Sequence, residues 1–169
     1  RLWSHVIEAC PPHDIYSVHG PDHWKRVERN ALILATRTGA KVHVVRLFAI
    51  FHDCKRLDDG WDPEHGKRGA AYAATLRGKL FDVSDQDFAL LHHACVWHTD
   101  ARHHEDPTIS TCWDADRLDL GRVGMIPRSS YMSTEFGKGI ADYGVIHPWV
   151  HLAEPFMAAD LNERTSQPR

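Results

Sequence analysis

Histidines and aspartates at inward-facing positions of apolar segments carry the chemistry in this chain. His52 and Asp53 stand side by side at the end of the run Val44-Val45-Arg46-Leu47-Phe48-Ala49-Ile50-Phe51. A neutral imidazole and an ionised carboxylate are both good ligands for a borderline divalent metal. Neighbouring residues on a helix point about 100° apart, so the pair can share an ion only where the ion lies off the helix surface, between helices. A carboxylate at the edge of an apolar face is costly to bury without compensation, and a metal removes that cost. Taken alone, the pair also fits a plain helix end: the His favours the dipole and the Asp opens the next loop.

Other residues recur in the same setting. His23 lies one turn before Val27 and two before Asn30 and Ala31, beside the apolar face of its segment. Asp116 shares a face with Cys112, Trp113 and Leu120, where a carboxylate needs a cation. Arg117 beside it is one candidate, and a metal shared with His52 and Asp53 is the other. His98 continues the face of Leu91 and Cys95, while His65 opens a segment next to Gly66. Core positions rarely collect so many titratable groups without an ion to neutralise them.

The elements that must position these residues are helical almost throughout. Gly20-Pro21-Asp22 starts a helix that carries Trp24, Val27, Ala31, Leu34 and Ala35 and ends at Gly39. A second runs from about Val42 to Asp53. Asp62-Pro63-Glu64 starts a third that stops near Gly78. Ser84-Asp85-Gln86-Asp87 resembles a capping box before a fourth, which ends near His98. A fifth spans Pro107 to about Leu120. Pro127 to Tyr143 is rich in Ser, Thr and Gly and reads as a long loop or a weakly ordered cap, and a short last helix is expected from Pro148 to Leu161. The expected class is all-α, a single-domain bundle of five or more helices across residues 1–169, with a core at about 17–124 and an irregular, loop-rich extension at 125–169.

The order His23, His52-Asp53, Asp116 resembles the HD-domain superfamily of metal-dependent phosphohydrolases, and the local sequences agree. His23-Trp24-Lys25-Arg26-Val27 is similar to the family's first-helix H-x-x-R-V. Phe51-His52-Asp53-Cys54-Lys55-Arg56 is similar to its defining pair, with Arg56 where many members carry a Lys. Asp114-Ala115-Asp116-Arg117-Leu118-Asp119 is similar to its terminal A-D-R-L segment. The resemblance spans roughly Ser17 to Gly124. It implies a metal held by His23, His52, Asp53 and Asp116. Where members bind a second ion, two intervening histidines join; here His65 and His98 are the best candidates, with His92 and His93 competing for the latter place, and Asp53 would bridge the ions. The implied cofactor is one or two divalent transition-metal ions: manganese, iron, cobalt, nickel or zinc.

The implied activity is hydrolysis of a phosphoric ester or anhydride in a nucleotide or another small phosphorylated metabolite, by water that a metal activates. Asp53, Arg56 and His65 are the candidate catalytic residues, with Arg56 the preferred phosphate contact. Lys55, Lys67 and Arg68 are further candidate cations, and Arg26 and Arg117 are expected to hold ligand carboxylates in place. Asp58, Asp59 and Glu64 are open choices for orienting water or acting as general acid-base, and Trp61 or Trp97 for stacking on a base. Two other functions use the same scaffold: a di-iron oxygenase, and a sensor that binds metal and nucleotide without turnover.

Composition excludes several classes. The 169 residues carry a net charge of -3 with His neutral, so no basic footprint for nucleic acid is present. No run is long and apolar enough to span a membrane, and no signal-like apolar core opens the chain. Cys10, Cys54, Cys95 and Cys112 share no C-x-x-C spacing, which argues against a zinc knuckle and fits reduced thiols in a cytoplasmic protein. Fourteen histidines are the reservoir on which a metal site draws.

Overall fold

The near-continuous apolar run at 44–51 becomes the central helix, and four others pack around it. The computed structural model describes residues 1–10 and 17–158. In chain order the helices are α1 (Leu2–Ala9), α2 (Pro21–Thr38), α3 (Val42–Phe51), α4 (His65–Leu76), α5 (Asp85–Trp97), α6 (Pro107–Arg117) and α7 (Glu135–Tyr143). Three 3₁₀ segments join them at Leu120–Val123, Ser129–Tyr131 and His147–Ala153. Among the described residues the one β-type pairing is an isolated bridge between Arg77 and Phe81. The architecture is all-α, as expected.

From Val44 to Phe51 every residue of α3 except Arg46 is buried. A helix apolar on all sides is stable only when surrounded, and α2, α4, α5 and α6 surround it. The helix starts and stops follow local chemistry. Pro21 occupies the first turn of α2 and Gly39 ends it in the left-handed region at φ 74°. Ser84 caps α5 by accepting from Asp87 N, and the Asp106 carboxylate caps α6 by accepting from Thr108 N and Ile109 N.

Two glycines set how closely α4 approaches its neighbours. A Cβ on Gly66 would lie 2.2 Å from the Cys95 carbonyl oxygen of α5, and one on Gly69 would lie 2.2 Å from the Phe51 carbonyl oxygen of α3. Only glycine permits that approach, and it brings His65 to His98 and to the end of α3.

The C-terminal part differs from the sequence expectation. Residues 135–143 form α7 where a long loop is expected, and α7 and the 147–153 segment both pack on α2. Ile140 and Ala153 join the same apolar core as α3. The physical reason lies in α6. The buried Asp114 carboxylate accepts from Ser133 N, Thr134 N and Thr134 Oγ1 at 2.7–2.8 Å, and Thr134 in turn caps α7 at Gly137 N. The last expected helix begins as the 3₁₀ segment His147–Ala153; its far end, at Leu161, lies outside the described residues. No helix among the described residues is long and apolar enough to cross a membrane.

Candidate metal centre

α2, α3, α4 and α5 each bring one imidazole to a common point, and hydrogen bonds behind the rings fix which nitrogen faces inward. His23 Nδ1 donates to Asp119 Oδ2 at 2.7 Å, and His98 Nδ1 donates to the Cys95 carbonyl at 2.7 Å. His52 Nδ1 is shared between the Phe48 and Ala49 carbonyls at 3.1 and 3.2 Å, and His65 Nδ1 donates to the Asp62 carbonyl. Each acceptor demands a proton on Nδ1, which leaves a lone pair on every Nε2. Those lone pairs face one another: His23 Nε2 is 3.1 Å from His52 Nε2, and His65 Nε2 is 2.9 Å from His98 Nε2. Lone pairs at that distance repel unless a proton or a cation lies between them.

Asp53 lies between the two imidazole pairs. Its Oδ2 is 3.7 Å from both His23 Nε2 and His52 Nε2, while its Oδ1 is 3.1 Å from His65 Nε2 and 3.5 Å from His98 Nε2. Asp116 Oδ1 lies 3.2 Å from His23 Nε2 and 3.8 Å from His52 Nε2. The buried Oδ1 atoms of Asp53 and Asp116 accept no aligned hydrogen bond, an arrangement that costs stability unless something cationic satisfies them. Ligand atoms of His23, His52 and Asp53 fall within 4.8 Å of one another, and so do those of Asp53, His65 and His98. The donor set therefore fits one divalent ion, or two that share Asp53.

Charge in the site follows from burial and neighbours. Burial pushes His52 down to about 3, so this imidazole is neutral. Burial also opposes ionisation of Asp53 and Asp116, but the surrounding imidazoles, with Arg122 beside Asp116, outweigh it and hold both carboxyls below the usual range. For His23 and His98 burial disfavours the proton, yet the facing aspartates prevail and raise both. Two ionised acids facing imidazoles that hold protons form a site where a cation can take the place of those protons.

Three supporting residues carry no helical periodicity to reveal them. His19, in the turn before α2, bonds Asp53 Oδ2 through Nδ1 at 2.9 Å. Asp119 holds His23 and is itself held by Arg26 Nε at 2.8 Å. Arg122 Nη2 lies 3.6 Å from Asp116 Oδ1.

Above the centre opens a cleft of about 760 Å³, with Asp53, His65, His98 and Asp116 at its base. Arg56, Arg117, Arg122 and Arg128 also line it. Arg56 donates to the Gly60 carbonyl and lies against the His65 ring, while its buried Nε has no partner.

Several sequence expectations are corrected here. Lys55 reaches the Ala9 carbonyl, Lys67 pairs with Glu64, and Arg68 holds Asp62, so none lines the cleft. Asp58 accepts from Gly60 N and Asp59 from Ser17 Oγ, away from the site, and Glu64 lies outside it too. Trp61 and Trp97 do not line the cleft. Arg117 binds the carbonyls of Ala101, Arg102 and Tyr131 instead of Asp116, and Arg26 steadies Asp119 instead of a proposed ligand. His93 stacks on Trp113 and His92 lies near Phe88, which leaves His98 facing the centre.

The same arrangement of helices is found in solved structures. A "predicted HD superfamily hydrolase" from an uncultured Thermotogales bacterium superposes with a TM-score of 0.66 at 26% identity, over 94% of this chain and 90% of that one. The chain has the HD-domain fold. An HD-superfamily hydrolase from Bacillus thuringiensis shares the fold alone, with a TM-score of 0.52 at 18% identity over 98% and 94% of the two chains. No family model and no curated protein matches the sequence. The His52-Asp53 pair thus stands in an HD-domain fold, with Asp53 at the base of the cleft.

Proposed function

We propose that this HD-domain protein is a metal-dependent phosphohydrolase acting on a nucleotide or another small phosphorylated metabolite. One observation carries the proposal: the two oxygens of Asp53 face two different pairs of inward Nε2 atoms, at the base of a cleft lined by four guanidiniums. The naming of both structural neighbours as hydrolases supports the hydrolytic half.

In this proposal His23, His52, Asp53 and Asp116 would hold one ion, and Asp53, His65 and His98 would hold a second. A divalent ion bound there supplies Lewis acidity, which acidifies water and offsets phosphate charge. The chain's own residues do the rest. Asp53 stays ionised between the histidine pairs and orders both. Arg56 lines the cleft with its guanidinium held by the Gly60 carbonyl, in place for a phosphate oxygen. His65, against Arg56, keeps its lone pair aimed at Asp53 because the Asp62 carbonyl holds its other nitrogen. Asp119 and the Cys95 carbonyl lock the tautomers of His23 and His98, a role that orients ligands as much as the ligands themselves do.

Elemental analysis of metal per chain, together with turnover of a phosphoester panel, tests this on wild type and Asp53→Ala. The expected result is one or two transition-metal ions and measurable turnover in wild type, both lost in the variant. Metal-loaded wild type that cleaves no panel member faster than Asp53→Ala would refute the activity.

A further inference from the structure

Of the four guanidiniums in the cleft, three make hydrogen bonds to the protein. Arg56 is clamped by the Gly60 carbonyl, Arg117 binds three backbone carbonyls, and Arg122 holds the carbonyls of Val18 and Asp119 beside Asp116. Arg128 is exposed, lines the cleft, and its side chain makes no hydrogen bond or ion pair among the described residues. Next to it Met125 and Ile126 are 57% and 79% exposed and line the same cleft, with Tyr131 completing the wall.

That exposure belongs to a pinned segment. Gly124, at φ 76°, turns the chain out of the 120–123 segment, and Met125 N donates to the Leu120 carbonyl at 3.2 Å. Pro127 restricts Ile126 to extended backbone. Tyr131 N donates to the Arg128 carbonyl at 3.0 Å, and the next residue, Met132, is buried in the fold. A pinned segment that holds two large apolar side chains and an unpaired cation toward a polar cleft is built to meet a ligand with both characters.

We infer that residues 124–128 form the selectivity wall of the cleft. Arg128 pairs with the phosphate charge of the substrate, while Met125 and Ile126 cover an aromatic ring in its body, the ring lying toward Tyr131. The inference rests on the phosphohydrolase proposal and adds to it the part of the substrate that is selected and the residues that select it.

The test uses the full chain loaded with manganese. Adenosine 5′-monophosphate and phenyl phosphate, which carry rings, are compared with ribose 5-phosphate, which does not. Wild type is expected to favour the ring-bearing pair by about tenfold or more in kcat/KM, the scale of burying one ring face. The double variant Met125→Ser/Ile126→Ser brings that preference close to one by slowing the ring-bearing substrates alone. Arg128→Ala raises KM for all three by about tenfold, and Arg128→Lys recovers part of it. Trp61→Ser, an exposed apolar change outside the cleft, leaves the ratio alone and serves as the control.

Equal turnover of ribose 5-phosphate by wild type, or an unchanged ratio in the double variant, overturns the inference while the phosphohydrolase proposal stands. Metal-loaded wild type that hydrolyses none of the three and no member of the phosphoester panel overturns both.

Discussion

The same substitution at two glycines should have opposite effects, because one glycine supports the site and the other does not. At Gly66 an added Cβ would stand 2.2 Å from the Cys95 carbonyl oxygen and 3.2 Å from His98 Nδ1. Ordinary contact begins near 3.4 Å, so α4 and α5 would have to separate by about 1 Å. Overpacking of this kind costs about 1–3 kcal/mol, and a backbone carbonyl yields less than a side chain would. Alanine returns up to about 1 kcal/mol of helix propensity, so Gly66→Ala should lose about 1–2 kcal/mol net. At Gly139, in the exposed face of α7, nothing lies within 4 Å of the added Cβ. There Gly139→Ala should gain about 0.5–1 kcal/mol from propensity alone. In a domain of this size each kcal/mol moves Tm by about 2–4 °C. Thermal unfolding of the metal-free proteins should therefore show Gly66→Ala melting about 2–8 °C below wild type and Gly139→Ala slightly above it. Metal titration of the folded Gly66→Ala protein should show weaker binding, since the Cβ presses on the Cys95 carbonyl and on His98 Nδ1. A Gly66→Ala protein that melts at or above wild type and binds metal normally would refute the close-approach account.

Other consequences follow from the hydrogen bonds behind the ligands. Asp119→Ala frees His23 to change tautomer and should weaken metal binding by about 10–100-fold in a chelator competition; unchanged affinity would show that His23 needs no such support. Asp114→Ala leaves the Ser133 and Thr134 donors without their acceptor, at about 1–3 kcal/mol, and should speed hydrogen exchange of α7 amides. Protection as strong as in wild type would mean that the core contacts alone hold α7. Metal affinity should fall as pH is lowered through the neutral range. In the metal-free protein His23 and His98 have pKa values raised above the ordinary imidazole value, so below those raised values each must release a proton on binding, whereas His52, at about 3, releases none. Calorimetry in buffers of different ionisation enthalpy counts those protons, and affinity independent of pH between 8 and 6 would contradict the assignment. In the same metal-free protein the His23 and His98 protons stabilise the fold fully below the ordinary imidazole value and lose that effect as pH rises through the raised ones.

What the sequence discloses depends on whether a residue's role is local or long-range. The inward phase of His23, His98 and Asp116 is visible because each sits on a helix whose apolar residues mark the buried face. α7 is not visible: Gly137 and Gly139 lower its propensity, its apolar side is little more than Phe136 and Ile140, and the acceptor that anchors it is Asp114, some 20 residues earlier. The cations mislead for a related reason. Lys55, Lys67 and Arg68 are near the HD pair in sequence, yet helix direction carries them to the outer side of the 53–68 connection. Arg122 and Arg128 come from beyond α6 and reach the cleft only because the chain folds back across it. His19 lies in a turn, where no periodicity indicates which way a side chain faces.

The segment Asp114-Ala115-Asp116-Arg117-Leu118-Asp119 joins these two halves of the molecule. Its aspartates leave the end of α6 in different directions and do different work. Asp114 anchors the Ser133-Thr134 turn and through it α7; Asp116 faces His23 and His52; Asp119 holds the back of His23. Arg117, between them, ties the Ala101-Arg102 loop to the Tyr131 carbonyl. One helix end thus fixes the proposed ligand, its support and the framework of the selectivity wall together. A change that moves the extension must pass through residues two and three positions from Asp116. The C-terminal extension is therefore mechanically part of the HD-domain site, and a loss of metal affinity in Asp114→Ala would be the sign of that coupling.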